Sequence, residues 1–166
     1  MRSRDMDFTE GVINMPKKML VAVDLSKLGE SVVRYGVSLS KRLDIEATFL
    51  HVIPNYYIWR GYEPWLPPEI NQEVQEIAQK KLSDYLKKAQ EQGGYQELPP
   101  HKVEILFGEP GEQIIEYAKK ESMDLIVLGY KGHSALENII VGSTASKVAR
   151  YAPCSVLIYR PGHEPI

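Results

Sequence analysis

The 166-residue chain has one cysteine, Cys154. A lone thiol closes no intrachain disulfide and builds no cysteine-based zinc site, and such sparing use suits a reducing compartment. Long apolar runs are also missing. No stretch approaches the roughly 18 residues that would suggest a transmembrane helix, so no membrane association is expected. Basic excess is absent as well: 20 Lys+Arg stand against 22 Asp+Glu, for a net charge of -2 and a pI near 6.1. Nothing in that balance drives phosphate-backbone binding, so nucleic acid is not expected as the main partner. No GxGxxG follows the first apolar segment, and no GxxxxGK[ST] occurs anywhere, which removes a dinucleotide fingerprint and a Walker lysine. His51, His101 and His163 lie far apart, and no pair has metal-ligand spacing. The first 16 residues carry Arg2, Arg4, Asp5, Asp7 and Glu10 without an apolar core, unlike a secretory signal. The expected organisation is a loose leader at 1–16, one domain at 17–160 and a short tail at 161–166, in the cytoplasm.

What is present is a globular composition, with 43% hydrophobic and 25% charged residues. Met19–Val23 is a short continuous apolar run, as befits a strand buried on both faces. Leu28, Val32, Tyr35, Leu39 and Leu43 then recur at steps of three and four, one face of a helix, with Ser26 as its N-cap. Ile45–Ile53 is a second strand, stopped by Pro54. A helix is predicted from Glu69 to about Gln92, with Ile70, Val74, Ile77, Leu82, Tyr85 and Ala89 as its stripe and Gly93-Gly94 as its end. Strands at Lys102–Phe107, Asp124–Leu128 and Ser155–Tyr159 alternate with helices at Glu112–Glu121 and Ser143–Tyr151. This βαβαβαβαβ order predicts an α/β fold: a single open parallel five-stranded sheet with helices on both faces. Ligands of such sheets sit at the carboxyl ends of the strands, where the winding reverses, here the ends of strands 1 and 4, marked by Asp24 and Gly129.

The most specific local pattern is Gly129-x2-Gly132-x9-Gly142-Ser143-Thr144. Glycine after a strand lets the chain turn sharply and a ligand approach the backbone. Gly142-Ser143-Thr144 opens a helix whose free N–H groups and dipole favour an anion, and the two hydroxyls can donate to phosphate oxygens. The same residues also read as ordinary turn and capping positions. Asp24 has two compatible roles, since one carboxylate oxygen can cap a turn while the other meets a ligand. Lys131 and His133 lie within phosphate reach or are solvated loop residues. Cys154 reads as a small buried hydrophobe. Between 55 and 68, Tyr56, Tyr57, Trp59, Tyr62 and Trp65 crowd one segment, which would cap the core, shield a ligand or dock a partner.

This pattern resembles the nucleotide motif of the universal stress protein family. VAVDLS at 21–26, LHVI at 50–53, GEPGEQIIEYA at 108–118, the DLIVLG strand and ASKVARYAPCSVLIYRP are similar to the family's segments in the same order, over roughly 17–160. The resemblance implies a Rossmann-like sheet of the adenine nucleotide alpha hydrolase type, with strand order 3-2-1-4-5. It also implies ATP binding, with Mg²⁺ or Mn²⁺ held by the phosphates. By similarity, Asp24 would meet the ribose or adenosine, Ala22 and Val23 would line the base, and the Val52 backbone would meet the adenine edge. Leu128 and Gly129 would contact the nucleoside, while Gly132, Gly142, Ser143 and Thr144 would hold the phosphates. A homodimer paired through the Val156–Tyr159 edge strand is implied, with Val156 and Ile158 near its axis. The functional expectation is a nucleotide-dependent stress-response regulator with no catalytic residue assigned and an unidentified protein partner. The alternatives are a slow ATP hydrolase and a nucleotide-free interaction module.

Overall fold

The computed structural model describes residues 17–54, 68–132 and 141–163, with side chains in the second segment described from 71 onward. The aromatic segment and His133 lie outside the described residues, as do both ends of the chain. The strands are β1 (Lys18–Ala22), β2 (Glu46–Ile53), β3 (His101–Phe107), β4 (Leu125–Gly129) and β5 (Ser155–Tyr159). They alternate with α1 (Lys27–Leu43), α2 (Pro68–Gly93), α3 (Pro110–Lys120) and α4 (Ser143–Tyr151). All strand pairs are parallel, in the order β3-β2-β1-β4-β5.

The apolar run of β1 takes the middle of the sheet because both of its faces are covered. Met19, Val21 and Val23 enter a core shared with α1 and α2, while Leu20 and Ala22 enter a second core shared with α3 and α4. Side chains such as Leu20, Val21, Phe49 and Ile126 are almost wholly buried, each stabilising the fold by roughly 1.5–3 kcal/mol. The two cores make the sheet a rigid floor, and its carboxyl edge is where the loops gather.

Helix ends follow side-chain chemistry. Ser26 Oγ accepts from Gly29 N at 3.2 Å and starts α1; Asp44, at φ 52°, ends it. The third helix begins at Pro110, two residues before its predicted start, because Glu109 caps it. Its carboxylate accepts from Gly111 N at 3.2 Å and Glu112 N at 2.7 Å, and proline suits the first helical position. Asp124, predicted as strand, lies just outside β4. Its Oδ2 accepts from Lys17 N and Lys18 N at 2.9 and 3.0 Å, clamping the start of β1. The stripe predicted for α2 is corrected at Ile77, which is 67% exposed; Ala78, Leu82, Tyr85, Leu86 and Ala89 are the buried positions. Steps of four, three and four from Ala78 keep one face on the core. Cys154 is half-buried rather than enclosed and packs against the α3–α4 core.

Candidate functional site

The site forms where the sheet's winding reverses, between the carboxyl ends of β1 and β4. The β1–β2 ladder closes with Val23 N donating to Leu50 O at 2.8 Å. β2 continues to Ile53 and pairs with β3 throughout, Val52 lying opposite Leu106. In a parallel ladder, residues two apart aim their backbone groups at the same neighbour. Val52 therefore presents its N–H and C=O toward the β1 side, past the point where β1 ends. The Val23 carbonyl, which would extend the ladder, instead accepts from His51 Nδ1 at 2.8 Å. Among the described residues, the ladder stops at His51, and the β1-facing backbone of Val52 lies beyond its end. Burial lowers the His51 pKa, while the Val23 carbonyl and the Asp24 carboxylate pull it upward and Lys81 pushes it down.

Asp24 follows immediately. Its Oδ1 accepts from Ser26 Oγ at 2.6 Å and Ser26 N at 3.4 Å, so one oxygen builds the turn into α1. Its Oδ2 is buried and has no hydrogen-bond partner among the described residues. Leaving a buried polar atom unsatisfied costs about 1–3 kcal/mol, and such an atom beside a crevice fits a ligand hydroxyl. The turn-building role foreseen for Asp24 is carried by Oδ1, and Oδ2 remains over for a second partner. Tyr85 in α2 steadies the turn by donating from its hydroxyl to Ser26 O at 3.1 Å.

From the other side, Gly129 ends β4 opposite Tyr159. Tyr130 N donates to Tyr159 O at 3.0 Å, and Gly142 N donates back to Tyr130 O at 2.6 Å. That bond returns the chain to the sheet edge and starts α4 there. A side chain at Gly142 would stand 3.2 Å from Lys131 Cα and 3.5 Å from Gly132 N; one at Gly132 would meet Asp24 Oδ2 at 3.4 Å. Glycine is thus used where two backbones and a carboxylate converge. Whereas Ser26 caps α1 and Glu109 caps α3, α4 begins at Gly142 with no side-chain cap. Its leading N–H groups lack the side-chain satisfaction the other two helices have. Ser143 is exposed and Thr144 half-buried at that end. Lys147 in the same helix bonds Glu109 and Glu112 at 2.9 and 3.0 Å, away from the helix start.

The structure therefore gathers Asp24, Gly132 and Gly142 at one crevice. Gly129, Ser143 and Thr144 belong to its β4–α4 wall, and Val52 offers backbone from the far side. Ala22, Val23 and Leu128 are buried strand-end residues below it. Sequence reasoning missed His51; its signal was a histidine inside an otherwise apolar strand. It also left out Tyr130 and Arg160, whose meeting depends on β5 lying beside β4. Among the described residues, no three of His, Cys, Asp and Glu cluster as metal ligands, and no helix is long and apolar enough to cross a membrane.

The family model described as the Universal stress protein family matches residues 15–160. The chain belongs to the universal stress protein family. YxiE of Bacillus subtilis is 30% identical over 164 residues, covering 88% of this chain and all of that protein. MJ0531 of Methanocaldococcus jannaschii is 29% identical over 150 residues, 89% of this chain and 84% of its own. Among solved structures, universal stress protein UspA from Lactobacillus plantarum superposes with a TM-score of 0.66 at 28% identity, covering 87% of this chain and 97% of that one. More distant members share the fold, including the Archaeoglobus fulgidus universal stress protein in complex with dAMP (TM-score 0.55, 19% identity, 87% and 99% covered). Another is an Arabidopsis thaliana family protein with AMP bound (TM-score 0.53, 18% identity, 89% and 94% covered).

Proposed function

We propose that this universal stress protein binds ATP at the β1–β4 crevice and acts as a nucleotide-dependent regulator, as a homodimer joined along β5. The observation that carries the reading is the unpaired, buried Asp24 Oδ2, facing Gly132 across from the uncapped start of α4. A ribose hydroxyl would satisfy the carboxylate oxygen. The N–H groups and hydroxyls of Ser143 and Thr144 would take phosphate oxygens, helped by the helix dipole. The free backbone edge of Val52 offers a donor and an acceptor, the complement of an adenine edge, while Ala22, Val23, Leu128 and Gly129 supply the apolar floor. The AMP- and dAMP-bound members of this fold support an adenine nucleotide. A divalent cation, Mg²⁺ or Mn²⁺, would ride on the phosphates with few protein ligands. Occupancy would regulate by stabilising whichever arrangement of the surrounding loops binds nucleotide better.

The test is calorimetric titration of nucleotide-stripped full-length protein with MgATP. Micromolar binding is expected, weakened at least tenfold in Asp24→Ala and abolished in Gly132→Asp, which would set a second carboxylate beside Asp24 and fill the cradle. Folded, stripped protein that takes up no adenine nucleotide would refute the reading.

A further inference from the structure

Just outside the glycine motif, two cations meet on one aromatic ring. Lys131 Nζ stands 5.4 Å from the Tyr130 ring centroid, and Arg160 Cζ stands 5.3 Å from the same centroid. Neither cation forms an ion pair with a described carboxylate. They reach the ring from different parts of the chain: Lys131 precedes Gly132, while Arg160 is the first residue after β5. Tyr130 is also the hinge of the cradle, since its N–H is held by Tyr159 and its carbonyl holds Gly142. The ring that gathers both positive charges thus belongs to the residue whose carbonyl holds Gly142, at the uncapped start of α4, a helix end that favours an anion.

We propose that Arg160, positioned on Tyr130 together with Lys131, reads the length of the bound phosphate chain and makes the site prefer nucleoside triphosphate to monophosphate. This rests on the nucleotide reading of the crevice and adds a residue outside the motif that forms it. A monophosphate next to Ser143 and Thr144 is served by backbone N–H groups and hydroxyls. Each further phosphate adds negative charge, and the two cations on Tyr130, without an ion pair to a described carboxylate, would supply the counter-charge. A guanidinium suits that task because its planar fork donates two parallel N–H bonds to phosphate oxygens, and stacking on the ring limits the freedom it must lose. Exposure of Arg160 leaves it able to swing from the ring onto a ligand without disturbing the core.

The experiment is titration calorimetry of the full chain with ATP, ADP and AMP at constant Mg²⁺. It compares the wild type, Arg160→Gln, Arg160→Lys and the double variant Lys131→Gln/Arg160→Gln, with thermal melting as a check on folding. The wild type is expected to bind in the order ATP, ADP, AMP. Arg160→Gln is expected to lose about tenfold in ATP affinity, the equivalent of one charge-assisted contact, with AMP affinity unchanged. Arg160→Lys should recover part of the loss, and the double variant should bring ATP close to AMP. Added salt should weaken wild-type ATP binding more than that of the double variant. An ATP-to-AMP ratio that is the same in wild type and double variant overturns the proposal while leaving the nucleotide site standing. Failure of the wild type to bind any of the three overturns both.

Discussion

His51 spends its ring nitrogen on the Val23 carbonyl rather than on solvent, and this choice should be visible in stability. Burial makes the neutral imidazole the form the fold prefers, outweighing the pull of Val23 and Asp24 toward the cation. The folded-state pKa thus lies below the ordinary 6.5, and in the window beneath that value the unfolded chain binds more protons than the native one. The contribution is present above pH 6.5 and is lost as the pH falls through the folded-state value. Denaturant unfolding between pH 8 and pH 5 should show the wild type losing stability more steeply than His51→Gln, which keeps a donor for Val23 but cannot titrate there; parallel slopes would refute the assignment. A second residue-scale expectation concerns Gly29. A methyl there would lie 1.7 Å from the Asp24 carbonyl oxygen and 2.7 Å from its Oδ1, and backbone cannot step aside as a flexible side chain can. Gly29→Ala should cost more than the roughly 1–3 kcal/mol of ordinary overpacking, measured as a fall in denaturation midpoint. At Gly132 the same methyl makes ordinary contact, so Gly132→Ala should melt like the wild type.

Among the elements, the start of α3 is tied to the middle of α4 by Glu109, which caps α3 and accepts from Lys147 of α4. Burial resists the charge on Glu109, but the Lys147 ammonium and the N–H groups of Glu112 and Gly111 outweigh it and lower its pKa. Removing the cap in Glu109→Ala should cost about 1 kcal/mol. Lys147→Met deletes two surface ion pairs, to Glu109 and Glu112, and should cost less than that, so denaturant titration of the two variants separates capping from pairing. The same elements show how far the chain could be read before its structure was known. Every strand and helix was legible, because continuous apolar runs alternate with helical stripes, and helix starts were legible where the cap was recognised, as the Glu109 cap of α3 was not. Ser26 and the Gly142 start were found for that reason. The other errors sit where packing between elements decides. Asp124 leaves the strand because it clamps Lys17 and Lys18, and Ile77 leaves the core because the α2 stripe runs through Ala78. At the site, the glycine spacing announced a cradle. The unpaired oxygen of Asp24 and the ladder-stopping bond of His51 were hidden, since each depends on residues brought together only by the sheet.

At the scale of the whole molecule, the sheet formed by the described residues ends at β3 on one side and β5 on the other, and the two edges differ. β3 ends one side with the polar His101, the exposed Lys102 and the half-buried Glu104 in its first half, a pattern that discourages edge pairing. β5 ends the other with Ser155, Val156, Leu157, Ile158 and Tyr159, and Ile158 is 36% exposed despite being in a strand. Among the described residues β5 pairs with β4 alone, and an apolar edge strand can take a partner strand, including its own copy across a twofold axis. Tyr35 stacks on Tyr159 with ring centroids 4.5 Å apart, bracing this edge from α1. The edge is therefore pre-formed, and pairing requires little further ordering. The proposed homodimer should be lost in Ile158→Glu, which would place a carboxylate opposite its own copy near the proposed axis at a cost of several kcal/mol. Ile77→Glu, on the exposed face of α2, should leave the dimer intact although Ile77 is more exposed than Ile158. Multi-angle light scattering at micromolar concentration reads the difference directly: twice the chain mass for the wild type and Ile77→Glu, and the single-chain mass for Ile158→Glu. A wild type that already elutes as a monomer would refute the β5 interface. AMP titration of the Ile158→Glu monomer then tests independence, because Asp24, Gly132, Gly142 and α4 all come from one chain and affinity for the monophosphate should survive dissociation.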